Sequence, residues 1–150
     1  MLKADLAAYD KDGQLAVIVE VRNILGKSKE WAAKLRRNIY AHGLLPATPY
    51  FLLALPDRFY LWKNAGNKPE MIEPDYETEA GEFLKPYYER SRLPQTGLSE
   101  TGFESLLAFW MLEVMYSDMN DVLRKNGEWL TESGLIEAIR GGRILYEADI

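Results

Sequence analysis

The residues "KADLAAYDKDGQLAVIVEVRN" (3–23) predict a β-hairpin. Two runs with the composition of β-strands, 3–10 and 14–22, flank the dipeptide Asp12-Gly13. Asp-Gly between two strand-like runs is the strongest short signal for such a hairpin, because both central residues of its tight turn need a positive φ. We therefore expect two antiparallel strands joined by a two-residue turn at Asp12-Gly13.

The register of this hairpin brings charged residues together. With a two-residue turn, partner numbers sum to 25, so Tyr9 faces Ala16 and Asp5 faces Glu20. Side chains alternate along a strand, and Arg22 therefore shares a face with Glu20. Opposed like charges destabilise a ladder, and a charge in an apolar strand is costly unless it is paired or binds a metal. The pattern predicts a cation between the carboxylates; the alternative is a solvated Glu20–Arg22 pair at a strand end.

The composition indicates one domain over 1–150 and limits the metal ligands and catalytic groups that the chain can use. A chain of 150 residues that is 47% hydrophobic can bury a substantial core. The absence of cysteine excludes disulfides and thiolate chemistry and favours a cytoplasmic location, while a single histidine excludes a histidine-rich metal site. Any metal would then have oxygen ligands, which favours Mg²⁺ or Mn²⁺. No apolar run is long enough to cross a bilayer, so we expect no membrane partner.

The net charge of −5 hides an asymmetry along the chain. Residues 1–63 carry ten Lys/Arg against six Asp/Glu, a balance of +4, whereas residues 64–150 carry eight against seventeen, a balance of −9. Several of the basic residues of 1–63 are clustered between positions 27 and 37. Such a cluster is typical of a surface that faces phosphates, although a solvated helix face has the same composition. The predicted nucleic-acid-binding residues are Lys27, Lys29, Lys34, Arg36 and Arg37.

The hairpin is followed by a pattern typical of a βαβ unit. Ser28 is a candidate N-cap and Gly43 a candidate end for a helix between them, and apolar residues recur at helical spacing inside it. The recurring residues are Trp31, Leu35 and Ile39. Apolar strands are expected at 50–55 and 58–63. A strand, a crossover helix and a parallel strand form a right-handed unit.

Three parts are expected within the single domain. Residues 1–66 form an α/β core, residues 67–97 an irregular acidic connector, and residues 98–150 a helical C-terminal part, in which residues 143–150 are a candidate closing strand. The connector is expected to be irregular because residues 70–82 carry six acidic residues and no basic one.

A wide apolar stripe marks the helix expected at 103–115. Thr101 and Glu104 have the spacing of a capping box, which places the helix start just before the stripe. An apolar surface of this width is not left to water. We expect the stripe either to pack against the hairpin sheet or to form a homodimer.

The order of these elements resembles that of the PD-(D/E)xK superfamily, whose members share the restriction-endonuclease-like fold. In that order an acidic residue lies on one strand, Glu-x-Lys lies on the next strand, and a basic helix follows. Here the elements are Ala4-Asp5, Glu20-Val21-Arg22 and the helix around 29–42. The neighbouring residues resemble uncharacterised proteins related to the N-terminal nuclease part of type I restriction subunits. The resemblance covers about residues 1–63.

The resemblance implies a metal-dependent nuclease that cleaves phosphodiester bonds in DNA. Its catalytic residues would be Asp5, Glu20 and Arg22. The ligands of Mg²⁺ or Mn²⁺ would be the carboxylates of Asp5 and Glu20 and the carbonyl of Val21. A metal lowers the pKa of an attacking water, and a cation on the same face stabilises the developing charge.

Three positions depart from the superfamily pattern, the first being Ala4, which stands before Asp5 where the pattern has proline. Arg22 replaces the lysine, keeping a charge that cannot lose its proton. In metal-free protein we expect Arg22 to pair with one or both carboxylates. Arg36 and Tyr40 have the spacing of a Gln-xxx-Tyr pair of some members, with arginine for glutamine.

The alternative function is a catalytically inactive DNA-binding or protein-interaction module of a restriction or mobile-element system.

Overall fold

The computed structural model describes residues 3–43, 45–92 and 98–149, with a mixed α/β architecture. The strands are β1 (Lys3–Tyr9), β2 (Leu15–Val21), β3 (Tyr50–Ala54), β4 (Arg58–Lys63), β5 (Tyr76–Glu79) and β6 (Arg143–Asp149). The helices are α1 (Lys29–His42), α2 (Gly81–Ser91), α3 (Glu100–Tyr116), α4 (Met119–Asn126), α5 (Trp129–Glu132) and α6 (Leu135–Ile139). The strands form one mixed sheet in the order β5-β4-β3-β2-β1-β6. Within these ranges, none of the helices has the length and apolar character needed to span a membrane.

The hairpin of β1 and β2 is present, but its turn differs from the prediction. The backbone N–H of Asp10 donates to the carbonyl of Gln14 at 2.8 Å, so three residues lie in the loop rather than two. The carboxylate of Asp10 accepts hydrogen bonds from the N–H groups of Asp12 and Gln14, each at 2.9 Å. Gly13 has a φ of +85°. The side chain of Asp10 therefore stabilises a longer loop that ends in a left-handed glycine.

A β-bulge next to the loop restores the predicted register. Tyr9 pairs with Leu15 and not with Ala16, so that prediction was wrong and Ala16 is the additional residue of the bulge. Beyond the bulge the partner numbers again sum to 25. The pairs are Ala8–Val17, Ala7–Ile18 and Leu6–Val19. One step further, this register sets Asp5 opposite Glu20, as predicted.

The predicted βαβ unit is confirmed. β2 and β3 are parallel, and α1 connects them. The hydroxyl oxygen of Ser28 accepts a hydrogen bond from the N–H of Trp31 at 3.2 Å, so Ser28 is the N-cap. At the other end, the N–H of Gly43 donates to the carbonyl of Ile39. α1 therefore begins and ends where its capping residues predict.

The expectation of an irregular connector over 67–97 was wrong, because this stretch contains β5 and α2. In β5, Tyr76 and Thr78 are half-buried while Glu77 and Glu79 are exposed. The guanidinium of Arg58 on β4 lies 3.7 Å from a carboxylate oxygen of Glu77 and 3.8 Å from one of Glu79. The acidic residues are thus the outward face of an edge strand. Residues 93–97 of the predicted connector lie outside the described residues.

The apolar stripe of α3 packs inside the chain, which confirms the first of its two expected roles. Every residue of the stripe is at most 2% exposed, and the stripe belongs to one hydrophobic cluster with residues of β1 and β2, which α3 contacts. The stripe consists of Phe103, Leu106, Leu107, Trp110, Met111, Val114 and Met115. The helix starts earlier than predicted, because Ser99 and not Thr101 is its N-cap and accepts from the N–H of Gly102 at 3.0 Å.

The C-terminal part is helical up to residue 139 and ends in the strand β6, as expected. This strand pairs with β1 and confirms the expected closing strand; Ile150 lies outside the described residues. Before it, Ser133-Gly134 separate α5 from α6, with Gly134 at a φ of +81°. The hydroxyl of Tyr50 donates to the carbonyl of Ser133 at 2.6 Å and ties this break to β3. A Cβ at Gly142 would collide with the carbonyl of Tyr9, so the chain passes closely there.

Candidate functional site

Two neighbouring strands bring Asp5 and Glu20 to one face of the sheet. The Asp5 side chain is 27% exposed, whereas that of Glu20 is only 8% exposed. One nitrogen of the Arg22 guanidinium lies within 4 Å of both carboxylates, which requires that they point to the same side. The predicted arrangement of the two acids is therefore confirmed.

A single cationic nitrogen lies among the three oxygens predicted to bind a metal. Nη1 of Arg22 is 3.4 Å from Oδ2 of Asp5 and 3.7 Å from Oε2 of Glu20. The same nitrogen donates a hydrogen bond of 2.8 Å to the carbonyl of Val21. The predicted pairing of Arg22 with one or both carboxylates is confirmed.

Main-chain hydrogen bonds fix these groups. The N–H of Val21 donates to Oδ2 of Asp5 at 2.8 Å, which holds the Asp5 carboxylate against the end of β2. The N–H of Arg22 donates to the carbonyl of Ala54 at 3.1 Å and extends the pairing of β2 with β3 by one residue. Because strands position these residues, their geometry does not depend on a loop.

Burial makes Glu20 an unusual carboxylate. Its pKa is raised to about 9, chiefly by desolvation and then by a hydrogen bond to Asp5 and the negative charge of Asp5, while Arg22 opposes the shift less strongly. Glu20 is therefore protonated at neutral pH in the metal-free protein. Carboxylates with strongly perturbed pKa values cluster at functional sites, although ion-pair networks perturb them too.

The donor set fits Mg²⁺ or Mn²⁺. Two carboxylates and a backbone carbonyl are hard oxygen ligands, which both ions prefer. In the part of the chain that the structure describes, no group of three or more His, Cys, Asp or Glu residues could hold a metal. The site at Asp5 and Glu20 therefore offers three protein ligands and leaves the other positions to water or phosphate oxygens, an arrangement common for Mg²⁺.

Arg36 does not belong to the predicted nucleic-acid-binding surface. It is 1% exposed and lies between α1 and the sheet. Its guanidinium carbon is 4.5 Å from the ring centre of Tyr40, 5.7 Å from that of Phe51 and 5.9 Å from that of Trp62. One guanidinium nitrogen donates to the carbonyl of Gly66 at 2.9 Å. Cation–π contacts with three rings hold this side chain in the interior, which corrects the prediction.

The other predicted basic residues stay on the outer side of α1 and its preceding loop. They are Lys27, Lys29, Lys34 and Arg37, all exposed or half-buried. Lys29 lies 3.9 Å from a carboxylate oxygen of Glu73, a weak pair on a solvated surface. Nζ of Lys27 lies 5.5 Å from the ring centre of Trp31. A basic surface of four residues therefore remains on α1 and the loop before it.

No family model, no curated protein and no solved structure matches the chain. A functional interpretation therefore depends on the geometry described above. The resemblance of residues 1–63 to the PD-(D/E)xK superfamily stays a prediction.

Tyr40 lies near the site, and its position in the sequence was only a weak signal for this. It is 6% exposed, and its hydroxyl has no hydrogen-bond partner among the described residues. Burial raises its pKa, and the charge of Glu20 raises it further, while Arg36 lowers it. Tyr40 thus faces the interior near Glu20. The spacing of four residues from Arg36 was the available signal, since it places both on one helix face.

Proposed function

We propose that the protein is a metal-dependent nuclease of the restriction-endonuclease-like fold that cleaves phosphodiester bonds in DNA. The observation that carries the proposal is the contact of one Arg22 nitrogen with three oxygens, from Asp5, Glu20 and Val21. These oxygens form a small site for a cation at the end of two buried strands. The hairpin, crossover helix and parallel strand around it support the proposed fold.

Each residue has a role in the proposed reaction. The carboxylates of Asp5 and Glu20 and the carbonyl of Val21 would hold Mg²⁺ or Mn²⁺, which when bound supplies charge that neutralises the phosphate and lowers the pKa of a water. The N–H of Val21 holds Asp5 in position. Arg22 lies on the same face and offers guanidinium donors to the phosphate, where they stabilise negative charge.

The chemistry of Arg22 favours a second candidate function. Its guanidinium satisfies both carboxylates and the Val21 carbonyl without a metal, and it cannot lose a proton to act as a base. A catalytically inactive module with this fold would keep the same ion pairs as structural contacts. Such a module would bind DNA or another protein of a restriction or mobile-element system.

Direct measurement of Mn²⁺ binding tests the metal site. We expect metal-free wild type to bind Mn²⁺ weakly, because Arg22 competes for the same oxygens, and we expect Asp5→Asn and Glu20→Gln to lose binding. The measurement is the loss of free-Mn²⁺ signal in electron paramagnetic resonance, supported by calorimetry. Asp12→Asn, a change of an exposed carboxylate in the hairpin loop, is the matched control and should bind as wild type does.

The variant Arg22→Ala makes this experiment decisive. It removes the competing guanidinium and should bind Mn²⁺ more tightly than wild type. If neither wild type nor Arg22→Ala binds Mn²⁺ while both remain folded, the metal site is absent and the non-catalytic function replaces the nuclease.

DNA binding should depend on the basic surface of α1. Replacing Lys34 and Arg37 by glutamine is expected to weaken binding and to reduce the slope of log affinity against log salt by about one unit per lost phosphate contact. Fluorescence anisotropy with labelled duplex DNA over a salt series measures both quantities. The control replaces Lys85 and Lys125, exposed on other helices, by glutamine and keeps the same change of charge. Equal slopes for the two double variants would remove this surface from the proposal.

A further inference from the structure

The loop between β2 and α1 exposes two neighbouring apolar side chains to solvent. Ile24 is 39% exposed and Leu25 is 62% exposed. The next residue, Gly26, has a φ of +73°, a backbone conformation that favours glycine. A single exposed leucine is common on protein surfaces. This apolar pair differs from such a residue because hydrogen bonds hold the loop on both sides of it and basic residues surround it.

Hydrogen bonds anchor the loop before and after the apolar pair. Before it, the side-chain amide of Asn23 donates to a main-chain carbonyl just ahead of α3. After it, the N–H of Gly26 donates to Oδ2 of Asp57 at 3.1 Å, and the hydroxyl of Tyr60 donates to the carbonyl of Lys27. A partner that contacts the apolar pair therefore has little loop backbone left to order, which lowers the entropic cost of binding.

The charge around the apolar pair is positive. From Arg22 to Arg37 the chain has six Lys or Arg residues and one acidic residue, Glu30. All of these basic residues except Arg36 are exposed or half-buried. Such a surface fits a polyanion that also offers apolar contacts. Duplex DNA is a polyanion of this kind, because its phosphates lie outside and its stacked bases lie within.

Leu25 is close enough to the candidate site for one DNA duplex to reach both. Consecutive Cα atoms are about 3.8 Å apart, so the Cα atoms of Arg22 and Leu25 are separated by at most about 11 Å. Base pairs follow each other at about 3.4 Å along the duplex, so this distance spans about three base pairs. A duplex with a phosphate at Asp5 and Glu20 therefore passes the loop within the same helical turn.

We propose that Ile24 and Leu25 form a wedge that inserts between neighbouring base pairs of DNA bound at the candidate site, with the more exposed Leu25 entering first. Apolar wedges partly unstack a base step and bend the duplex, and unstacking costs free energy. This cost is smallest where base pairing is already disturbed. The preferred substrate is therefore duplex DNA with an unpaired or mismatched base. The wedge rests on the proposed function, since it needs DNA at this surface.

Fluorescence anisotropy of the full chain with two labelled duplexes tests the wedge, in the presence of a chelator so that no cleavage occurs. One duplex is fully paired, and the other has the same sequence with one additional unpaired adenine. We expect wild type to bind the bulged duplex at least about tenfold more tightly, and Leu25→Ser to lower this ratio to about one. Leu25→Met keeps a long apolar side chain and should keep the ratio.

Leu112→Ser is the matched control, because Leu112 is a 42% exposed leucine on α3, which packs on the other face of the sheet from α1. It should keep the preference for the bulged duplex. A 2-aminopurine base next to the unpaired adenine reports unstacking directly, and its fluorescence should rise with wild type and not with Leu25→Ser. Circular dichroism of each variant verifies that it is folded.

Failure of the wedge and failure of the proposed function give different results. If wild type binds both duplexes equally, or if Leu25→Ser keeps the preference, the wedge is wrong and the DNA-binding surface is unaffected. If wild type binds neither duplex, DNA binding is absent and the wedge fails with it. Binding to anionic phospholipid vesicles that depends on Leu25, without a preference for the bulged duplex, would assign the loop to a membrane surface and overturn the wedge.

Discussion

Arg22→Lys is expected to increase manganese-dependent nicking of plasmid DNA at least about tenfold over wild type, a difference of about 1.4 kcal/mol in the activation free energy. In the wild type, the guanidinium of Arg22 is in contact with every oxygen proposed to hold the metal. A lysine keeps the positive charge on a smaller head group, competes less well for the three oxygens and can lose a proton. The measurement is the rate at which supercoiled plasmid is converted to the nicked form.

Two controls accompany this assay. Glu20→Gln should abolish nicking in both the wild-type and the Arg22→Lys background, because it removes a carboxylate ligand. Arg58→Lys, a matched change on β4 away from the site, should leave the rate unchanged. If wild type already nicks efficiently and Arg22→Lys is slower, arginine is the functional residue and its proposed competition with the metal is wrong. If no variant nicks DNA with any divalent metal, the non-catalytic function replaces the nuclease.

Glu20→Gln is expected to stabilise the metal-free protein at alkaline pH. Burial raises the pKa of Glu20 in the folded state to about 9, above its ordinary value of 4.5. The folded state therefore holds a proton that the unfolded chain has released, and the contribution of Glu20 to stability is fully present below the unfolded pKa and is lost as the pH rises toward 9. Glutamine cannot ionise, so we expect its advantage to grow by about 4 kcal/mol between about pH 5 and about pH 8.

Urea unfolding at several pH values measures this effect. Glu89→Gln, at an exposed position of α2, is the matched control and should show no comparable increase with pH. An advantage of Glu20→Gln that stays constant from acidic to alkaline pH would show that Glu20 is ionised in the folded protein. The interpretation of Glu20 as a protonated buried acid would then be wrong.

The geometry of Asp5 and Glu20 could be predicted because local signals decide it. An Asp-Gly dipeptide between alternating strands predicts a hairpin, and a register fixed by alternation sets the faces. The turn itself was predicted with one residue too few. The carboxylate of Asp10 stabilises the longer loop through two hydrogen bonds, and the rule for two-residue turns takes no account of such a contact.

The burial of Arg36 could not be predicted from the periodicity of α1. A helical stripe of Trp31, Leu35 and Ile39 places Arg36 at its margin, where a charged residue is expected to reach water. The side chain is buried because rings from β3 and β4, far along the chain, surround its guanidinium. Such a contact depends on tertiary structure, which helix periodicity does not encode.

The helix α2 was missed although a signal for it was present. The acidic composition of residues 70–82, which precede α2 and include its first two residues, favoured an irregular connector. Yet the buried residues of α2 recur at helical spacing, as Phe83, Leu84, Tyr87 and Tyr88. The structure accommodates Pro86 inside α2.

The bulge at Ala16 makes the length of the hairpin loop and the geometry of the site independent of each other. A loop one residue longer than the shortest turn would, on its own, move Glu20 to the opposite face of the sheet. The additional residue at Ala16 cancels that shift before the strand reaches the acids. Loop residues 11–13 are exposed and lie at the far end of the hairpin from Asp5. This loop is therefore a suitable insertion point for a fluorescent label or an affinity peptide, since strand pairing downstream of the insertion determines where the carboxylates lie.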